Sequence, residues 1–246
     1  MHTVSREKRG SQTGMTLIEL LVGMIIATIV GTMLVGTWIS LQRAYGFTTQ
    51  TNTARASARD AMGRISSELR DAQPTALATA TPTPSAAAVY INAKPMEVSF
   101  YSVYNLAGAQ NDTTGIAAMR LTRIWLDTAS GSTPQKTLYW QRRTDASTTG
   151  AWTDASVRKV VLAQNVVNNS VTDKSVSPTT SYTAVFRYAY RDGTGTVQWT
   201  DNTDGTLDLT KIISVRVRLI VDANLSHTPT YVDLSTTVRP RNASGN

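Results

Sequence analysis

The feature that most constrains this chain is a run from Leu20 to Gln42 that contains neither a charged residue nor proline. An α-helix rises about 1.5 Å per residue, so these 23 residues would form about 34 Å of helix. The hydrocarbon core of a bilayer is about 30 Å thick. The sequence therefore predicts a membrane-spanning helix near the amino terminus.

The charges on either side of this run predict its orientation. Arg6, Lys8 and Arg9 precede it, whereas only Arg43 follows closely. Basic residues are retained on the cytoplasmic side, so we expect the amino terminus in the cytoplasm and the bulk of the chain outside. A cleaved secretory signal fits less well, because the apolar stretch is too long and no small-x-small cleavage site follows it.

Glu19 stands at the start of this apolar helix. A carboxylate costs about 2.5–3.5 kcal/mol at mid-bilayer and less near a helix end, and such residues usually have a partner. No Lys or Arg lies one turn away on this helix. The alternative is an interfacial glutamate whose carboxylate reaches the headgroups, but we interpret Glu19 as a functional contact.

The stretch "TGMTLIELLVGMIIATIV" resembles the processing site of type IV pilins and of the pseudopilins of type II secretion. In that family a basic leader ends in glycine, a hydrophobic residue follows, and a glutamate is fifth in the mature chain. Gly14, Met15 and Glu19 occupy these positions, with Met15 where phenylalanine is more usual. The resemblance implies that a prepilin peptidase cleaves between Gly14 and Met15 and that Met15 is N-methylated. It also implies that Glu19 pairs with the α-amine of Met15 on a neighbouring subunit.

Small residues also recur on one face of this helix, at Gly23, Ala27 and Gly31. Such a string permits close approach of helices within a membrane. It is compatible with a packed filament core or a pseudopilin dimer.

Apolar residues continue at spacings of three and four beyond the run, which is the pattern of one helix face. Pro74 ends the pattern, so we expect one helix from about Thr16 to Gln73 whose second half packs on the body of the protein. The apolar positions are Ala54, Ala58, Met62, Ile65, Leu69 and Ala72. The predicted organisation is a basic leader (1–14), a transmembrane or filament-core helix (15–42), its amphipathic continuation (43–73), a Thr/Ala/Pro-rich linker (74–88) and a β-rich head (89–246).

The head consists of short stretches with strand composition, separated by turn signals. The clearest alternates over 213–221, and a second over 232–238 pairs with it antiparallel across "ANLSHTP". We therefore predict an α+β fold, a long amino-terminal helix packed on a mainly antiparallel β head, which is also the pilin-like layout. The candidate strands lie at 96–104, 118–127, 136–143, 157–163, 182–191, 195–200, 212–222 and 230–238.

Fragments of the head are similar to the larger minor members of that family, the J-type pseudopilins and W-type minor pilins. They are "ARDAMGRISSELRDAQ", "VSFY", "VLAQNV" and "TTVRPRN". The resemblance implies a structural subunit that primes or caps a filament. Its implied partners are prepilin peptidase, other minor pilins or pseudopilins, the major pilin and an inner-membrane assembly platform. The implied location is the inner membrane and then the filament or its tip. A pilus, a secretion system and a competence apparatus remain open.

An acidic turn offers a candidate metal site. Asp201, Asp204 and Asp208 surround Gly205 and could bind calcium through carboxylate oxygens. The stretch lacks the regular acid spacing and the closing glutamate of an EF-hand loop. Hairpin turns use Asn, Asp and Gly for backbone reasons alone, and we favour that interpretation.

Basic residues and aromatic residues lie close together on several candidate strands. This mixture could contact a nucleic-acid backbone and stack bases, which gives a second hypothesis of an adhesive or DNA-binding tip module. The alternative is the solvent-facing side of a sheet with aromatics in its core, and no known nucleic-acid-binding signature accompanies the residues. They are Arg120, Arg123, Arg142, Arg143, Arg158, Lys159, Arg216 and Arg218, with Trp125, Tyr139 and Trp140.

The residue inventory argues against catalysis. The chain has no cysteine, which excludes disulfides, thiolate metal sites and cysteine nucleophiles. His2 and His227 are its two histidines, and neither a P-loop nor a glycine-rich dinucleotide fingerprint is present. We therefore expect a non-catalytic protein without a cofactor, calcium excepted. A third hypothesis, an anchored β domain unrelated to filaments, predicts no processing at Gly14 and tolerance of Glu19→Ala.

Overall fold

The computed structural model describes residues 15–73, 89–103, 119–127, 136–143, 157–173, 181–223 and 231–241. The chain divides into two compact units, Met1–Thr49 and Gln50–Asn246. One helix, α1 (Leu17–Arg70), contributes to both. The leader with Gly14, the linker 74–88 and both histidines lie outside the described residues.

In the first unit, α1 is long and apolar enough to cross a membrane. Its most apolar window has a mean hydropathy of 2.3, and none of that window is buried in the protein. The hydroxyls of Thr28 and Thr37 donate to the carbonyls of Met24 and Met33 at 2.8 and 2.9 Å. Since these hydroxyl groups are bonded within the helix, the few polar side chains of the run are compatible with hydrocarbon.

In the second unit, α1 buries one face, as predicted from its spacing. Ala58, Ile65 and Leu69 are 0% exposed, and Ala54 and Met62 are partly buried against the same core. Because these positions recur every three or four residues, they fall on one side of the helix.

The helix ends at Arg70, whereas the sequence predicted an end at Gln73. Ala72 and Gln73 form strand β1 (Ala72–Gln73), which pairs antiparallel with the strand at Tyr101 and Ser102, so strand pairing replaces the last helical residues. The carbonyl of Arg70 accepts a hydrogen bond from the Arg241 N–H at 3.2 Å. The end of the helix is therefore closed by the segment that follows the final strand.

The first sheet has six antiparallel strands in the order β1-β3-β4-β5-β6, with β2 also paired to β3. One face of it meets α1: the Arg64 guanidinium lies 4.5 Å from the centroid of Trp140, and Glu68 forms an ion pair with Arg142. The strands are β2 (Tyr90–Lys94), β3 (Glu97–Val103), β4 (Met119–Leu126), β5 (Leu138–Arg143) and β6 (Val157–Ala163).

The second sheet has four antiparallel strands in the order β10-β9-β7-β8. Its last hairpin is the predicted one, with Val232 opposite Val221 and Val238 opposite Val215. The strands are β7 (Phe186–Arg191), β8 (Val197–Thr200), β9 (Ile212–Asp222) and β10 (Tyr231–Val238). All eight candidate strands are present, β1 and β2 were missed, and the predicted α+β layout is confirmed.

The segment after β6 joins the two sheets. Val166 forms a β-bridge with Val221, and the Val167 N–H donates to the Ile220 carbonyl at 2.8 Å. The Asn168 side chain is fully buried and continues this contact, since it accepts from the Ile220 N–H and donates to the Arg218 carbonyl, both at 2.8 Å. This segment therefore lies along β9 as a neighbouring strand would.

Candidate functional site

The amino end of α1 is held by a reciprocal pair of hydrogen bonds between Thr16 and Glu19. The Leu20 N–H donates to the Thr16 carbonyl at 3.2 Å, which makes Thr16 the residue that caps the helix. The Thr16 N–H donates to Glu19 Oε2 at 2.9 Å, and the Glu19 N–H donates to Thr16 Oγ1 at 3.3 Å. This is a capping box, which satisfies N–H groups that have no partner within the helix.

Glu19 thus has a partner inside its own chain. The Thr16 hydroxyl also donates to Oε2, at 3.0 Å, so one carboxylate oxygen accepts two hydrogen bonds at the positive end of the helix dipole. Within the part of the chain that the structure describes, Oε1 accepts none. One half of the carboxylate therefore remains open to a further donor.

Thr16 is the residue that the interpretation of the sequence missed. The letters "TLIE" fit the S/T-x-x-E pattern of a capping box, so the signal was available. Met15 precedes Thr16 and is 74% exposed, and neither residue is helical. The peptide bond after Gly14 therefore precedes the helix.

Within the residues that the structure describes, the small-residue string has no packing role. A Cβ placed on Gly23 or Gly31 would meet no atom within 4 Å, and Ala27 is exposed. A glycine within a helix costs about 1 kcal/mol relative to alanine. No contact among the described residues explains that cost.

The acidic turn does not gather its three aspartates. Asp204 and Asp208 line one surface pocket of about 400 Å³, whereas Asp201 Oδ1 lies 2.6 Å from Nε of Arg187. Within the described ranges, no group of three acidic or histidine side chains is arranged to hold a metal ion.

The remaining two carboxylates are engaged by local turns. Thr206 donates to Asp204 through its N–H and hydroxyl at 3.2 and 2.8 Å, and these bonds lower the pKa of Asp204. Thr210 does the same for Asp208 at 3.0 and 2.6 Å, and the pKa of Asp208 falls for the same reason. Gly205 has φ +69°, which glycine adopts readily. Both carboxylates therefore accept hydrogen bonds within a local turn.

The aromatic residues considered for nucleic-acid contact separate onto two faces of the first sheet. Trp125 and Tyr139 stack with centroids 5.2 Å apart, and Lys159 lies 3.7 Å from the Tyr139 centroid. Trp140 lies on the other face, against Arg64 of α1. The predicted set therefore does not form one stacking surface, and the side chains of Arg120 and Arg158 lie outside the described residues.

Comparison with known families singles out the same helix end. Residues 9–35 match the prokaryotic N-terminal methylation motif. This match spans Gly14, Met15, Glu19 and the small-residue string, and it supports a type IV pilin-like protein. The chain matches no curated protein and no solved structure.

The methylation motif and the apolar helix are interpreted together. Together they support a membrane-anchored pilin-like protein that is a substrate of prepilin peptidase. They also support a structural subunit. The motif thus supports the resemblance seen in the sequence as far as a type IV pilin-like protein.

Proposed function

We propose that this protein is a minor pilin or pseudopilin, a structural subunit that primes or caps assembly of a type IV pilus-like filament. The observation that carries the proposal is the methylation motif at 9–35, with the half-open Glu19 carboxylate at the start of the helix. The large two-sheet head after the helix supports the minor role, because a minimal major subunit needs less.

Processing creates the group that Glu19 lacks. Cleavage after Gly14 frees the α-amine of Met15, which then carries a positive charge and a methyl group. In the packed filament this amine approaches Glu19 Oε1 of a neighbouring subunit while Thr16 continues to hold Oε2. An ion pair in a water-poor core offsets the cost of burying either charge alone, so the contact favours one register of the helices.

The string of small residues provides the second contact. Gly23, Ala27 and Gly31 leave an open strip on the helix, and a neighbouring helix fits closely against such a strip. The loss of helix stability caused by the glycines is then offset by closer packing between subunits.

The remaining features of the proposal follow from the motif and the flanking charges. The chain crosses the inner membrane once, with its amino terminus in the cytoplasm and its head outside, before it enters the filament or its tip. Its partners are prepilin peptidase, other minor pilins or pseudopilins, the major pilin and the inner-membrane assembly platform. It has no catalytic role.

Processing is tested by intact mass and amino-terminal sequencing of the membrane-extracted protein, with and without co-expressed prepilin peptidase. We expect a mature chain that begins at Met15 and is one methyl group heavier than its sequence. A full-length chain despite an active peptidase would refute the proposal.

Assembly is tested with single cysteines, because the native chain has none. Gly31→Cys is expected to form disulfides with single cysteines placed along the amino-terminal helix of a neighbouring pilin subunit in filament preparations. Ile29→Cys is the matched control, because at about 100° per residue it lies on nearly the opposite side of the helix. Equal cross-linking of both variants would contradict the proposed packing face.

A further inference from the structure

A pocket of about 340 Å³ lies on the face of the second sheet that points away from the core. In β9, Val215 and Val217 are buried, and Arg216 and Arg218 alternate with them on the opposite face. Arg187 of β7 lies on this face too, because it pairs directly with Arg216. The lining consists of Asp173, Ala184, Arg187, Arg216, Arg218, Asp233 and Ser235.

Two of the three arginines already have carboxylate partners. Nε and Nη2 of Arg218 donate to the two carboxylate oxygens of Asp233 at 3.1 and 2.7 Å. Nε of Arg187 lies 2.6 Å from Oδ1 of Asp201. These pairs neutralise both guanidinium groups.

Arg216 has no such partner in the part of the chain that the structure describes. Among the described residues no carboxylate lies within salt-bridge distance of its guanidinium, although Arg187 stands directly opposite in the neighbouring strand. Like charges in that arrangement destabilise a sheet. The guanidinium lies 4.4 Å from the ring centroid of Trp199, which holds it by a cation–π contact and leaves its N–H edge open. Asp173 also lines the pocket, but it lies 3.8 Å from Nη1 of Arg218 and forms no ion pair with Arg216. A guanidinium that is held in place without a direct carboxylate contact is suited to an anion.

We propose that Arg216 binds the carboxylate of a ligand in this pocket. The planar guanidinium fork matches the two oxygens of a carboxylate. Asp173 and Asp233 line the same pocket, and their charge repels a doubly charged phosphate more strongly than a singly charged carboxylate. The pocket volume lies within the range of about 300–1,000 Å³ found for ligand sites, so the pocket can hold a small ligand that carries the carboxylate. The ligand is a small organic acid or an acidic side chain of a polypeptide.

Binding is measured by titration calorimetry on the full chain in detergent micelles. The probes are acetate, a blocked Gly-Glu-Gly peptide and inorganic phosphate. We expect a carboxylate to bind more tightly than phosphate. A peptide affinity at least tenfold above that of acetate identifies a polypeptide side chain as the ligand, and comparable affinities identify small organic acids.

Three variants assign the site. Arg216→Gln is expected to abolish carboxylate binding, and Arg216→Lys to weaken it about tenfold because the charge stays but the fork is lost. Arg191→Gln, an equal loss of charge outside the pocket, should bind as the native chain does. Arg216→Gln loses the cation–π contact with Trp199 together with the like-charge contact with Arg187, and these effects oppose each other. Its unfolding midpoint without ligand should therefore stay close to that of the native chain, which excludes misfolding as the cause. Absence of carboxylate binding, tighter binding of phosphate, or unchanged binding by Arg216→Gln would each overturn the proposal.

Discussion

Replacing Asn168 by alanine removes the side chain that ties the segment after β6 to β9. Asn168 is 0% exposed and makes two hydrogen bonds of 2.8 Å, one to the Ile220 N–H and one to the Arg218 carbonyl. Alanine leaves both backbone groups without a partner. Because the two sheets meet at this point, we expect the whole head to lose stability.

The expected loss in the free energy of unfolding follows from the burial of the two backbone groups that lose their hydrogen bonds. A buried polar group left without a hydrogen bond costs about 1–3 kcal/mol. The bond to Ile220 is buried, whereas the bond to Arg218 is only partly so, and water compensates part of that second loss. The free energy of unfolding should therefore fall by about 2–4 kcal/mol.

Urea unfolding of the full chain in detergent micelles, followed by tryptophan fluorescence, measures this loss. Asn169→Ala is the matched control, because Asn169 is only half-buried and its side chain accepts one exposed bond of 3.3 Å from Ser170. The control should stay within about 0.5 kcal/mol of the native chain. A loss below that limit for Asn168→Ala, or an equal loss in the control, would refute the reasoning.

Three further variants test the helix. Thr16→Val removes the capping box and should cost about 1 kcal/mol of local helix stability. Amide hydrogens at the helix start should then exchange faster, whereas Thr16→Ser should keep the exchange rate of the native chain. Burial raises the pKa of Glu68 by more than Arg142 lowers it. The folded state then binds the Glu68 proton more tightly, so native stability should fall relative to Glu68→Gln between about pH 4 and pH 7, and a relative gain in urea midpoint would contradict this. A Cβ at position 31 meets no atom within 4 Å, so Gly31→Ala should stabilise the isolated helix by about 0.5–1 kcal/mol. It should nevertheless reduce filament yield, because the methyl group blocks the proposed contact between helices, whereas Gly46→Ala should leave the yield unchanged.

Most of the fold could be predicted because the spacing of apolar residues within a single helix or strand shows which face of that element is buried. The helix face was visible in the spacing of Ala58, Ile65 and Leu69, and the last hairpin in its alternation. β1 has only two residues and β2 follows a low-complexity stretch, so neither shows a clear alternation of apolar and polar residues in the sequence.

The candidate sites were predicted less completely, for two reasons. Some signals were present but overlooked: adjacent strand residues point to opposite faces, so Tyr139 and Trp140 could not share one surface. Others depend on register. The partner of Asn168 lies on β9, about fifty positions along the chain, and the lack of a carboxylate at Arg216 follows only from which strands are neighbours.

The contact between Arg70 and Arg241 has a consequence for biogenesis. The helix emerges from the ribosome early, yet its end is closed only when the segment behind β10 arrives, 171 positions later. Contacts between such distant residues form slowly. The membrane anchor is therefore in place before the head is complete, and a chain that stops before β10 keeps the processing motif but exposes the edge of β9. Such a truncated product would keep the apolar helix and would differ from the complete chain by an unpaired strand edge, which is prone to aggregation.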